Sequence, residues 1–158
     1  MYVIDSSSLV SAWDNYPFEQ FPQFWQWFKE QVVSTEIYIP EVVVDEVSYK
    51  FPDCGEYVKG FTTPLAIDAK IISYAMTLKS VIGVNEDHYH PKGVDENDLL
   101  IISSAFCTGR ILITDEHYQV APPKEKSKAK IPLVCKMAVE EIRWTNLISY
   151  IRESGQIF

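Results

Sequence analysis

Three short apolar runs, each cut off by polar or helix-starting residues, constrain this chain more than any other feature. Tyr2-Val3-Ile4 ends in Asp5 and the hydroxyl run Ser6-Ser7-Ser8; Ile37-Tyr38-Ile39 ends in Pro40; Ile111-Leu112-Ile113 ends in Thr114-Asp115-Glu116. The last is the continuous apolar type found in strands buried on both faces of a parallel sheet. Between the runs lie stretches whose apolar residues recur at helical spacing. Strands alternating with helices predict an α/β domain of three layers, α/β/α, around a central parallel sheet. Ligands of such sheets bind in the crevice beyond the carboxyl ends of the strands. Asp5 and the acids after Ile113 belong at that edge.

The segments in between follow local signals. Ser6 to Asp14 reads as a short helix capped by the serines, and Asn15-Tyr16-Pro17 breaks it. In Phe18 to Val33, Phe21, Phe24, Trp25 and Phe28 fall on one helical face, with Pro22 suited to the first turn and Tyr16 and Trp27 off the stripe. This predicts a core-facing helix with an exposed aromatic, and a docking surface for a second copy or a partner. After Pro40, Val43, Val44 and Val47 form a buried stripe, and Glu46 leans back toward the sheet edge. Phe51-Pro52 reads as the start of a loop containing Cys54 and Gly55. Phe61 to Lys79 reads as a helix with Leu65, Ala69, Ile72, Ala75 and Met76 inside, and Ser80 to Gly93 as irregular.

Asp95-Glu96-Asn97-Asp98 caps a helix whose buried side is Leu99, Leu100, Ile102 and Ala105, ended by Gly109. Pro122-Pro123 opens a lysine-rich loop that Ile131-Pro132 closes. Leu133 to Ala138 reads as a short helix, Glu141 to Trp144 as a last strand, and Thr145 to Glu153 as a terminal helix.

Length and composition narrow the class. A chain of 158 residues with 47% apolar and 23% charged residues supports one soluble globular domain, residues 1–158. No apolar run approaches the ~20 residues of a membrane span, and the amino terminus does not read as a signal peptide. Cys54, Cys107 and Cys135 are odd in number and form no CxxC, which fits small core hydrophobes in a reducing cytoplasm. A net charge of −8 argues against coating nucleic acid non-specifically. It leaves room for a nuclease whose surplus acids surround a metal, and for a basic partner protein.

The acids at strand ends and helix starts are Asp5, Glu46, Asp98 and the pair Asp115-Glu116. Taken singly, each suits a helix cap or a solvated surface. Taken together, they form a cluster that is costly without a cation, because carboxylates a few ångströms apart resist common ionisation. Hard oxygen ligands of this kind suit Mg²⁺ or Mn²⁺.

The chain resembles the PIN domain family, small metal-dependent nucleases that include VapC-like toxins. The resembling pieces are Tyr2-Val3-Ile4-Asp5-Ser6-Ser7, Ile39-Pro40-Glu41-Val42 through Glu46, Asp98-Leu99-Leu100-Ile101-Ile102, and Gly109 followed by Leu112-Ile113-Thr114-Asp115-Glu116. Phe21-Pro22-Gln23-Phe24-Trp25 and Ile131-Pro132-Leu133-Val134-Cys135 are similar to a less-characterised PIN-like subgroup. The resemblance implies that Asp5 is the central metal ligand, with Glu46 and Asp98 completing the set and either Asp115 or Glu116 as fourth acid. It implies that the Ser6 and Thr114 hydroxyls orient carboxylates. Where many relatives have Asn two residues after the first Asp, this chain has Ser7, and Asp95 is an additional candidate acid beside Asp98.

The implied reaction is attack of a metal-activated water on an RNA phosphodiester, leaving a 3′-hydroxyl and a 5′-phosphate. The implied partners are an RNA substrate, a cognate antitoxin whose basic group enters among the acids, and a second copy docked through the aromatic helix. Lys124, Lys126, Lys128 and Lys130 form a candidate lip that guides phosphates to the site. Alternative readings are a degenerate PIN-like module that only binds RNA or protein, and a phosphoacceptor or phosphohydrolase domain. His88 and His90 lack the second ligand pair of a zinc site, and His117 is either a phosphate contact or an ordinary surface residue.

Overall fold

A computed structural model describes residues 1–158. Four short strands, β1 (Tyr2–Ile4), β2 (Ile37–Tyr38), β3 (Ile111–Ile113) and β4 (Trp144–Thr145), form one sheet in the order β2-β1-β3-β4. Every pairing is parallel: Val3 lies against Tyr38 and Leu112, and Ile113 against Thr145. Parallel neighbours need crossovers, and seven of the eight helices lie in them, the eighth following the last strand. The eight helices are α1 (Ser6–Asn15), α2 (Pro22–Val33), α3 (Glu41–Lys50), α4 (Pro52–Lys59), α5 (Ala69–Val81), α6 (Glu96–Cys107), α7 (Ile131–Met137) and α8 (Leu147–Ser154).

The α/β architecture with an all-parallel sheet is as the apolar runs predict. From β1 the chain moves to β2 on one side and then crosses back to β3 on the other. The strand order therefore reverses beside β1, which opens the crevice where Asp5 emerges. Val3, Ile4, Leu112 and Ile113 are fully buried and join a cluster of 36 buried hydrophobic residues. Cys54 and Cys135 are buried in it and Cys107 only partly, all three as free thiols.

Several local readings are corrected by packing. Trp27 is buried and Phe21 is 40% exposed, the reverse of the helical-stripe expectation. Phe21 precedes the helix as its N-cap. Trp27 is covered by Tyr150 of α8 and by Phe158, with ring centroids 5.7 and 5.2 Å away. With Phe24, Trp25, Trp27 and Phe28 all inside, Phe18 and Phe21 are the aromatic residues left exposed on the stretch expected to dock a second copy, together with Val33 at its end.

The segment from Phe61 is not helical until Ala69. Leu65 instead bridges to Pro40, its amide donating to Ile39 O (2.8 Å) and its carbonyl accepting from Glu41 N (3.0 Å). Asp68 caps α5 by accepting from Ile71 N. The buried side of α5 is Ile71, Ala75 and Leu78, while Ile72 and Met76 are 47% and 65% exposed. The last strand, expected over Glu141 to Trp144, is Trp144–Thr145, and Asn146 accepts from Ser149 N to start α8 directly after it. The short helix read from Leu133 begins at Ile131, with Pro132 in its first turn.

The expected loop after Phe51 is α4, started by Pro52 at its first turn. It packs so closely on α3 that a Cβ on Gly55 would stand 2.4 Å from Ser48 Cα. Gly55→Ala therefore forces the two helices apart and is expected to cost about 1–3 kcal/mol. Urea unfolding checks this, and a midpoint equal to wild type would refute the close approach.

Candidate functional site

Beyond the carboxyl ends of β1 and β3 lies a cavity of about 300 Å³. Asp5, one residue past β1, is 1% exposed. Its Oδ2 accepts hydrogen bonds from Ser7 Oγ and from Thr114 Oγ1, the latter at 3.0 Å. Burial pushes its carboxyl up to about 6, against the lowering effect of the Ser7 and Thr114 bonds and with a smaller push from Glu116. Thr114, itself fully buried, also accepts from Glu116 N (3.3 Å) and so ties the two strand ends together.

Glu46 reaches the cavity from α3, where Ser6 Oγ donates to Oε2 (2.7 Å) and Lys50 Nζ lies 2.6 Å from Oε1. Asp98 enters from the first turn of α6 through a reciprocal capping box. Asp98 N donates to Asp95 Oδ1 (3.0 Å) and Asp95 N to Asp98 Oδ2 (2.8 Å). Burial, followed by the Asp95 carboxylate, raises the Asp98 carboxyl to about 8, and Asp5 and Glu116 add to the push.

The adjacent acids after β3 part company. Glu116 lines the cavity, its Oε1 3.2 Å from Lys130 Nζ and its Oε2 accepting from Ile131 N (2.8 Å). Asp115 does not line it; its Oδ1 accepts from Leu147 N (3.0 Å) at the start of α8. Successive residues of an extended segment point to opposite sides, so only one of the pair can face the site.

Asp5, Glu46, Asp98 and Glu116 thus share one cavity with Asp95. Of the expected hydroxyls, Thr114 holds Asp5 and Ser6 holds Glu46. Sequence reasoning missed Ser7 on Asp5 and Lys50 on Glu46; the i, i+4 spacing of Glu46 and Lys50 was the available signal. Of the four lysines, Lys130 alone reaches the cavity. Lys124 and Lys126 line a separate cavity with Pro122 and Pro123, and Lys128 pairs with Glu125 (2.9 Å). His88 and His117 are exposed, and His90 Nδ1 accepts from Lys92 N.

Chemically, the donor set is all hard oxygen. Asp5 and Asp98 are sunk in the wall without a basic partner, whereas Glu46 and Glu116 each carry a lysine. As the side chains lie, no group of three or more acids, cysteines or histidines converges to hold an ion in common. A cavity that sets a buried and a half-buried carboxyl against each other is poised to take a divalent cation or protons.

A three-layer α/β domain with an acid-walled crevice at its strand-order reversal is the class that fold and cavity define. The chain belongs to the family described as domain of unknown function DUF4411, whose model matches residues 2–158. No functionally curated protein sequence matches the chain. Among solved structures, the fold is similar to that of a chain in the crystal structure of VapBC2 from Rickettsia felis bound to a DNA fragment from their promoter. The TM-score is 0.55 at 18% identity, over 92% of this chain and 97% of that chain.

Proposed function

We propose that the protein is a PIN-like, divalent-metal-dependent endoribonuclease acting as the toxin of a toxin–antitoxin pair. The observation that carries this reading is a pair of carboxyls without a basic partner, the buried Asp5 and the half-buried Asp98, facing one crevice with Glu46 and Glu116 at its wall. Fold similarity to a chain of a VapBC2 complex supports it.

Asp5, Asp98, Glu46 and Glu116 would hold Mg²⁺ or Mn²⁺. When bound, the ion supplies an acidified water and charge stabilisation for the leaving 3′ oxygen. The chain's own residues prepare for this. Ser7 and Thr114 fix the Asp5 carboxylate, Ser6 fixes one oxygen of Glu46, and the Ile131 amide fixes one oxygen of Glu116. Such supporting bonds typically change metal affinity or activity about 10–100-fold when removed. RNA is the substrate of this reading and an antitoxin its protein partner, placing the pair in the cytoplasm; no helix is long and apolar enough to cross a membrane.

Purified protein with Mn²⁺ or Mg²⁺ is expected to cut single-stranded RNA, and Asp5→Asn to abolish cutting; equal activity in that variant sinks the assignment. The lysines paired with Glu46 and Glu116 favour a second reading, a binding module without catalysis. Calorimetric titration with Mn²⁺ separates the two, since only the nuclease takes up the ion.

A further inference from the structure

Two ammonium groups in the cavity have no part in the reaction as described so far. Lys50 closes α3 one turn after Glu46, and Lys130 N-caps α7 beside Glu116. Each sits on a glutamate, at 2.6 and 3.2 Å, and each reaches solvent, with side chains 57% and 37% exposed. Asp5 and Asp98, deeper in the wall, have no such partner.

The placement of Lys130 is built. Gln119 grips the backbone around it, accepting from Lys130 N (2.7 Å) and donating to Lys128 O (3.1 Å). Val94 N donates to Ala129 O (3.0 Å), the next carbonyl along. Gly93, on the cavity wall, approaches the same loop so closely that a Cβ there would lie 1.9 Å from Ser127 O. A lysine on a solvated loop needs none of these anchors, and Lys124 and Lys126, further along the same loop, point to another cavity.

Resting on the nuclease reading and deepening it, we propose that Lys50 and Lys130 are the substrate-phosphate contacts of this cavity. Each is paired with a glutamate, Glu46 or Glu116, and so competes with any cation for that carboxylate. Were Glu46 and Glu116 to hold a divalent ion, the two ammoniums at the cavity mouth would be left to pair with phosphate oxygens. Two local positive charges also solve a problem of approach. A polyanion entering a crevice with five acids, in a chain of net charge −8, needs cations at the rim.

The test compares wild type with Lys50→Met, Lys130→Met, the double variant and the two Lys→Arg variants, with folding checked by thermal melts. Mn²⁺ affinity is read by calorimetry, and binding of a short fluorescein-labelled single-stranded RNA by anisotropy in Ca²⁺. Each Met variant is expected to bind Mn²⁺ more tightly, because a competitor for the glutamate is gone. Each is expected to bind RNA about threefold to tenfold more weakly, with a salt dependence shallower by about 0.7 per lost contact. The Arg variants keep RNA affinity. Opposite signs for ion and RNA are the signature, because a merely structural lysine would weaken both. Normal Mn²⁺ uptake with RNA binding indifferent to the lysines, or a parallel fall in both affinities, overturns the inference and leaves the nuclease reading standing. Wild-type protein that takes up no Mn²⁺ overturns both.

Discussion

Asp98→Asn is expected to yield a protein that, without metal, is harder to unfold and that cuts RNA at least about a hundredfold more slowly. The carboxyl is raised from 3.8 to about 8, by burial first and then by Asp95, so the folded state holds its proton more tightly than the unfolded chain does. The favourable effect of that proton is therefore complete below about pH 4 and is lost as pH rises through about 8. Asp5, raised to about 6, acts in the same direction over a narrower window. Metal-free wild-type protein should lose stability steadily from pH 5 to pH 9, and the variant should lose less. Asn keeps an oxygen to accept from Asp95 N, so the capping box survives. At pH 9 the variant should be more stable by roughly 2 kcal/mol, or about 4–8 °C in Tm, a value reduced for the partial exposure of the side chain. Mn²⁺ should reverse the order by stabilising wild type alone, and RNA cleavage should fall roughly a hundredfold or more. Melting curves at both pH values, with and without Mn²⁺, decide it; a variant less stable than wild type at pH 9 contradicts the strained-carboxyl account.

The largest loss of stability is expected from Trp25→Ala. Trp25 is fully buried, its ring 5.1 Å from Trp13, 5.1 Å from Phe24, 5.6 Å from Phe28 and 5.6 Å from Tyr57. Its indole N–H donates to Tyr16 O at 2.7 Å, closing the turn after α1. Truncation removes the ring from every one of these contacts and leaves that carbonyl without its donor. A cost of about 3–5 kcal/mol follows for a buried aromatic of this size. The urea midpoint should fall sharply with an unchanged slope. A loss under about 1 kcal/mol would mean that α2 is not part of the core.

Trp25 and Trp27 mark the two ways the chain encodes its structure. Trp25 was legible because neighbours on one helical face tend to share an environment. Trp27, two positions on, was misread because its burial depends on Tyr150 and Phe158, over a hundred residues away. In α5 the stripe held at Ala75 but was drawn through Ile72 and Met76 where Ile71 and Leu78 are buried, because several apolar residues side by side fit more than one face. The stretch from Phe51-Pro52 through Cys54 and Gly55 reads as a loop because a Gly within a helix lowers helix propensity, while packing of α4 against Ser48 requires that Gly.

The sequence by itself determined the alternation of strand and helix, the parallel sheet, and the arrival of Asp5 and the acids after Ile113 at one edge. Those features depend on periodicity and chain order, which are local. Tertiary structure alone decided that Glu116 rather than Asp115 faces the cavity, and that Lys130 alone of four lysines reaches it. It also decided that Glu46 and Glu116 each rest on an ammonium while Asp5 and Asp98 stand unpaired. The reason is physical: the electrostatic environment of a side chain is set by what lies across the cavity from it, and no local pattern of residues carries that information.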